Sequence, residues 1–119
     1  MMEYLLVGIG GALGSLARFR LGKMISQKAR TSFPLGTFII NITGAFFLGI
    51  VSTIGLNGNI YILLADGFLG AYTTFSTFMY EGFDLFQGNE KMNAFIYIAG
   101  SLVTGLLGFI LGIFCAKLF

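Results

Sequence analysis

The sequence predicts an all-α integral membrane protein with four transmembrane helices and a break in the third, and three observations predict it. The chain has 119 residues, of which 56% are hydrophobic and only 10% charged, with a mean hydropathy of +0.89, well outside the make-up of a soluble domain. Long stretches without a charge recur, separated by short turn-type or basic clusters. In the third stretch, glycines and a string of hydroxyl residues fall at membrane depth. A bilayer core takes about 20 apolar residues per helix, so a chain of this length holds about four or five spans and no soluble domain beside them. Residues 1–119 are therefore read as one transmembrane domain.

Span one covers about residues 3–24: Tyr4 to Ala17 is free of charges, and the amphipathic stretch from Arg18 to Met24 ends it in a basic cluster. Met1-Met2-Glu3 lacks the positive region of a signal peptide and no small-residue cleavage site closes the run, so the span is expected to be retained. From Thr31 to Ala65 no residue is charged, too long for one span, and Gly55-Leu56-Asn57-Gly58-Asn59 divides it with a turn. Span two then runs over 34–54, with Pro34 in the first turn, where its missing N–H costs nothing. Span three covers 60–83 and span four 92–116, with Lys117 as an interfacial anchor. Four spans place both termini on one side. Arg18, Arg20, Lys23, Lys28, Arg30 and Lys91 lie toward the loop side, against Lys117 alone, which favours termini outside even if Arg18 is discounted as facing a vestibule.

Composition removes most chemistry. With no histidine and one cysteine, Cys115, zinc sites, histidine-based triads and structural disulfides drop out, and the chain is read as no enzyme. A net charge of +2 scattered between apolar runs does not argue for nucleic-acid binding. The Gly8 to Gly14 stretch lacks the third glycine and the flanking strand of a nucleotide loop. Asn41-Ile42-Thr43 matches a glycosylation sequon but lies mid-span. Most of the 18 glycines read as packing glycines, since small-xxx-small spacing lets helix backbones approach in lipid.

Span three is different. Gly67 and Gly70 before Thr73-Thr74-Phe75-Ser76-Thr77 predict a helix break, because glycine weakens the helix and hydroxyls can satisfy the freed backbone groups; a merely kinked packing helix is the bland alternative. Carbonyls at such a break commonly coordinate a cation, while the N-terminus of the next half-helix favours an anion. Phe75 and Phe78 stand three apart, on one helical face. They are packing rings, or rings whose positive edges meet an anion without a formal charge. Asn41 is a costly amide in an apolar run, with Thr37 one turn before it. Tyr97, Ser101 and Thr104 form a hydroxyl stripe on span four, unless they bond back to their own backbone. These groups are mostly donors. The acids Glu3, Asp66, Glu81 and Asp84 fall toward span ends, so the polar path suits an anion. Export of organic cations would want a carboxylate deep within a span.

The chain resembles the Fluc or CrcB fluoride channels over nearly its whole length. The resemblance rests on Gly10-Gly11-Ala12-Leu13-Gly14 followed by Arg18, on Pro34-Leu35-Gly36-Thr37 leading to Asn41 and Gly44, and on the string from Gly67 to Phe78 with Glu81. It implies fluoride export across a prokaryotic plasma (inner) membrane by an antiparallel dual-topology dimer with two pores and a structural sodium ion at the dimer interface. By position, Gly70 and Thr73 would offer backbone carbonyls to sodium. Phe75 and Phe78 would line the pores with Ser76 and Thr77, and Asn41 would donate to the ion. Tyr97, Ser101 and Thr104 would form a polar track, and Arg18 would draw anions into a vestibule. Tyr72 and Leu69 depart from residues common in the family. The basic first loop sits uneasily with insertion in both orientations, so a homodimer is favoured with a heterodimer half as the alternative. Two rivals make different demands. A small multidrug-type transporter needs a buried glutamate in span one and usually carries tryptophan, and neither is present. An assembly subunit of a larger membrane complex accounts for the glycines but not for the aligned donors.

Overall fold

The computed structural model describes residues 1–29 and 33–118; Arg30 of the basic cluster and Thr31, where the charge-free stretch begins, lie outside the described residues. All regular structure among the described residues is helical. Helix α1 spans Met2–Ala29, α2 Leu35–Thr53 and α6 Lys91–Lys117, and these three are long and apolar enough to cross a membrane. Between α2 and α6 the third apolar segment comes in pieces: α3 (Gly58–Tyr61), a π-helical stretch (Ile62–Leu69), α4 (Gly70–Tyr72) and α5 (Ser76–Gln87). The molecule is 47 Å long, close to the ~40–45 Å of a bilayer with its headgroup regions.

Helix α1 outruns its expected end at Met24 because Ile25-Ser26-Gln27-Lys28 contains no breaker, so the basic cluster rides on helix rather than loop. The turn after α2 uses Gly55 at φ +72°, a left-handed conformation that glycine adopts without a steric penalty. Asn57 then caps α3, its Oδ1 accepting from Ile60 N–H at 3.1 Å.

Two close helix pairs organise the fold. Helices α2 and α6 pack along much of their length, and α1 packs on the π-helical stretch and α4. Both crossings are glycine crossings. A Cβ on Gly14 would overlap the backbone of Phe68, and one on Gly112 would overlap the carbonyl of Phe46 and reach Ile50 N at 3.2 Å. Gly67 belongs to this packing: its added Cβ would meet Gly10 Cα at 3.1 Å and Val7 O at 3.0 Å. It serves the α1 crossing, and helical backbone continues past it to Tyr72. Without hydrophobic drive between helices in lipid, such backbone approach supplies the dispersion contact that holds the pairs together.

At Thr73 the backbone turns extended, φ −80° and ψ 158°, and helix resumes only at Ser76. The segment changes partner there, packing on α1 before this point and, as α5, on α6 after it. Two small cores result. Ile40, Leu69 and Tyr72 form one, and Phe78, Leu85, Ala94 and Tyr97 the other. Large apolar side chains such as Leu102, Leu106, Phe95 and Phe114 stay exposed, as expected of faces solvated by lipid.

Replacing Gly112 by valine is expected to cost about 3 kcal/mol by forcing α2 and α6 apart. Gly105→Ala, whose added Cβ meets nothing within 4 Å, should be close to neutral. Unfolding midpoints in detergent measure both, and equal midpoints would contradict the glycine crossing.

Candidate functional site

The site is built around the interruption at 73–75. Asn41, on the inner face of α2, makes a reciprocal pair with Thr74: its Nδ2 donates to Thr74 O at 3.1 Å, and Thr74 N–H donates to Asn41 Oδ1 at 2.9 Å. An amide suits this task because it carries one donor and one acceptor in the geometry of a peptide group. Asn41 keeps one further N–H for another acceptor.

The pairing decides which carbonyls are released. In an unbroken helix Thr74 N–H would bond Gly70 O, and Thr77 N–H would bond Thr73 O. Here Thr74 N–H is spent on Asn41, and Thr77 N–H donates to Thr74 Oγ1 at 3.3 Å. The carbonyls of Gly70 and Thr73 thereby lose their helical donors. They are hard oxygen ligands of the kind that suits a sodium ion, so the backbone present fits one. Gly70 is exposed on the chain's surface, consistent with a ligand set completed from outside this chain.

Two side-chain hydroxyls brace the break. Thr73 Oγ1 donates back to Leu69 O at 3.0 Å, beside the Thr73 N–H bond to the same carbonyl at 3.1 Å. Tyr72, 7% exposed, lies 3.0 Å from Thr43 Oγ1 through its hydroxyl. Thr43 directs its own proton to Ile39 O at 2.8 Å, so Tyr72 is the donor in that contact.

Beyond the break the rings and hydroxyls line up unequally. Phe75 and Phe78 adjoin, centroids 6.1 Å apart, but Phe75 precedes α5 and is 74% exposed whereas Phe78 is 5% exposed. Phe78 in turn stands 5.2 Å from the ring of Tyr97, which is fully buried. Ser76 and Thr77 are exposed in the first turn of α5. The hydroxyls of Tyr97 and Ser101, one turn apart on α6, are both buried and have no hydrogen-bond partner of good geometry among the described residues. Thr104, the third member of the expected stripe, donates to Gly100 O and has no proton to spare.

Glu81 was not among the residues expected to line the site. It accepts from Thr37 Oγ1, and the Tyr97 hydroxyl faces both groups. Its place was legible in the spacing, since Glu81 follows Phe78 by three and Thr77 by four on α5, the distances that share a helical face. Asp66, by contrast, is exposed on the π-helical stretch and lines neither of the two cavities at the site.

Two cavities meet these groups. One of about 380 Å³ opens beside the break and is lined by Asn41, Gly70, Thr73, Phe75, Phe78 and Ser101 among others. A second, about 330 Å³, lies between α1, α2 and α5, with Arg18 and Lys23 on one wall and Thr37, Thr74, Thr77 and Glu81 on the other. Asn41, Phe75, Phe78 and Ser101 thus come together on one cavity, and Arg18, Thr37 and Thr77 on the other.

A broken helix whose loose ends are tied by a neighbouring amide, with hydroxyls facing inward and lipid-soluble faces outward, defines a multi-pass membrane protein with a polar interior. Residues 5–113 match the family described as CrcB-like protein, Camphor Resistance (CrcB). The chain is 58% identical over 117 residues to fluoride-specific ion channel FluC 2 of Clostridium acetobutylicum, covering 98% of this chain and 100% of that one. It is 46% identical over 122 residues to fluoride-specific ion channel FluC of Hydrogenobaculum, covering 98% and 99%, and 43% identical over 112 residues to FluC 2 of Bacillus cereus, covering 94% and 95%. The chain belongs to the CrcB-like family.

Asn41→Ala strands a backbone N–H and a C=O at the break, and should cost about 2–6 kcal/mol at about 1–3 kcal/mol per unpaired group. Asn57→Ala, which removes only a surface cap, should cost about 1 kcal/mol. The two unfolding midpoints test the pairing; an Asn41 variant no weaker than the Asn57 one would refute it.

Proposed function

We propose that this chain is a subunit of a fluoride-selective channel that lets cytoplasmic fluoride leave the cell. The observation that carries the reading is the pair of buried hydroxyls, Tyr97 and Ser101, that have no hydrogen-bond partner of good geometry among the described residues. A buried donor without a partner costs about 1–3 kcal/mol, so an interior that keeps two of them is suited to an acceptor that arrives from outside. Membership of a family whose relatives are named for fluoride supports the identity of that acceptor.

The chemistry agrees. Hydrogen fluoride crosses lipid from acidic surroundings and ionises inside, leaving a trapped anion, and a passive pore releases it. Fluoride is small and strongly hydrated, so a selective pore must replace its water with closely held donors that need little reorganisation. The edge of the Phe78 ring, the Tyr97 and Ser101 hydroxyls and the remaining N–H of Asn41 supply these without a fixed cation in the path. Thr37 can join only when Glu81 releases its proton from their hydrogen bond. An assembly subunit would have no use for unpaired donors at this depth.

The functional unit in this reading is an antiparallel dual-topology dimer, a homodimer in preference to a heterodimer. Phe75 is left exposed beside the break, and the cavity there is open on one side, as a surface awaiting a second copy would be. A structural sodium ion at the dimer interface, held by the carbonyls of Gly70 and Thr73, would lock the two broken helices together.

Liposomes reconstituted with this chain alone should release fluoride rapidly, followed with a fluoride electrode, and hold chloride. Tyr97→Phe, which removes a hydroxyl and keeps the ring, should slow fluoride about tenfold or more, the worth of one hydrogen bond to a charged group. Phe75→Ile should abolish flux while assembly persists. Chloride release matching fluoride release would sink the selectivity, and full flux in both variants would remove these residues from the route.

A further inference from the structure

Arg18 is the cation expected to draw anions toward the polar interior, yet the cavity it lines also contains a carboxylate. The charged groups on its walls are Arg18, Lys23 and Glu81. Taken alone, Arg18 and Glu81 cancel. Lys23 turns the balance from zero to +1. It lies five residues after Arg18 on α1 and is exposed, whereas Arg18 and Glu81 are both half-buried.

We infer that Lys23 is the residue that makes this cavity anion-attracting, acting as an entry charge for fluoride while the half-buried Arg18 and Glu81 offset one another in the count of charges. The inference rests on the channel reading above and deepens it by assigning a residue to ion capture. The position of Lys23 supports this. Its ammonium sits over the Phe19 ring, 5.9 Å from the centroid, and both residues line the cavity wall. A cation resting on an aromatic face keeps most of its field, because the ring offers no counter-charge. Across the cavity stand Thr37, Thr74 and Thr77, whose hydroxyl oxygens belong to the site already described. An anion drawn to Lys23 is therefore delivered at the polar interior rather than at a lipid-facing surface.

A competing role for an exposed lysine near a helix end is to anchor the helix at the membrane interface. The two roles differ in their response to salt. An anchor alters how much protein inserts and leaves the flux of each inserted channel unchanged. An entry charge raises the local anion concentration, and the effect fades as ionic strength shortens the screening length from about 30 Å at 0.01 M to about 3 Å at 1 M.

The test uses the full chain in liposomes, with fluoride well below saturation and an inert salt to set ionic strength. Lys23→Met keeps the apolar stem over Phe19 and removes the charge; Lys23→Arg keeps both. Per active channel, Lys23→Met should lower fluoride flux about three- to tenfold at low ionic strength, the lower end of electrostatic steering effects. That deficit should vanish near 1 M, and Lys23→Arg should match the unaltered chain throughout. A salt-independent deficit, or none, overturns the inference while leaving the channel reading intact. If the unaltered chain passes no fluoride, the channel reading fails first and this inference with it. A Lys23→Met chain that does not assemble shifts the comparison to Lys23→Gln, judged by the same salt dependence.

Discussion

An interrupted helix in lipid has no water to tie off its backbone, and every arrangement in this protein follows from how that problem is met at residues 73–75. Asn41 supplies what the missing turn would have supplied, one donor and one acceptor to Thr74. Opening the helix leaves carbonyls without their helical donors, Gly70 and Thr73 among them, whose proper donors are engaged elsewhere. Thr74 absorbs a further loose end with its own hydroxyl, which accepts from Thr77 N–H. Because the repair is made by α2, the break cannot drift along the segment without losing both Asn41 bonds. The partner switch from α1 to α6 is anchored at the same point.

The fixed break also explains how unpaired donors survive nearby. A mobile region would let Tyr97 or Ser101 turn toward a carbonyl and satisfy itself, as Thr104 does with Gly100. Tyr97 is instead wedged at full burial between Phe33, 5.5 Å away, and Phe78, 5.2 Å away. Rigid aromatic neighbours on either side of the ring restrict where its hydroxyl can turn. That is preorganisation in the sense a selective pore requires: donors held in place before the ion arrives, so that little reorganisation accompanies its loss of water.

Much of this was legible in the sequence, and the boundary of legibility has a physical basis. Span positions follow from charge-free lengths, a one-dimensional property, and α2 and α6 begin and end within a residue of expectation. The special character of the third segment was equally plain from its hydroxyl string. The task of individual residues was less so, because it depends on which partner each proton finds in three dimensions. Asn41 reads as a costly lone amide, and only the fold shows that most of its capacity is spent on Thr74. Gly67 reads as a helix breaker but is a crossing glycine, since the contact it permits lies on α1, more than fifty residues away in sequence. Tyr97, Ser101 and Thr104 all lie on α6 at helical spacing, yet the last hydroxyl is self-satisfied. Glu81 is an acid beside a path that suits an anion, and its engagement with Thr37 is a contact between two helices that the sequence does not display.

The charge distribution takes on a different meaning once these positions are known. Counted along the chain, the cations after span one argue for a single orientation in the membrane, which opposes an antiparallel homodimer. That count assumes loop residues held at the membrane surface. Helix α1 carries Arg18, Arg20, Lys23 and Lys28, and two of these four, Arg18 and Lys23, line a cavity that faces Thr37, Thr74, Thr77 and Glu81. Charges placed to meet an anion are partly offset by the interior they face, and so weigh less in the contest between orientations. With Arg18 and Lys23 set aside, the loop side retains Arg20, Lys28, Arg30 and Lys91 against Lys117. The bias is smaller than the sequence alone suggests, and the proposed homodimer needs to overcome only this residue of it. In this channel reading, one set of cations serves capture and the other orientation, and the division between them is drawn by the cavity.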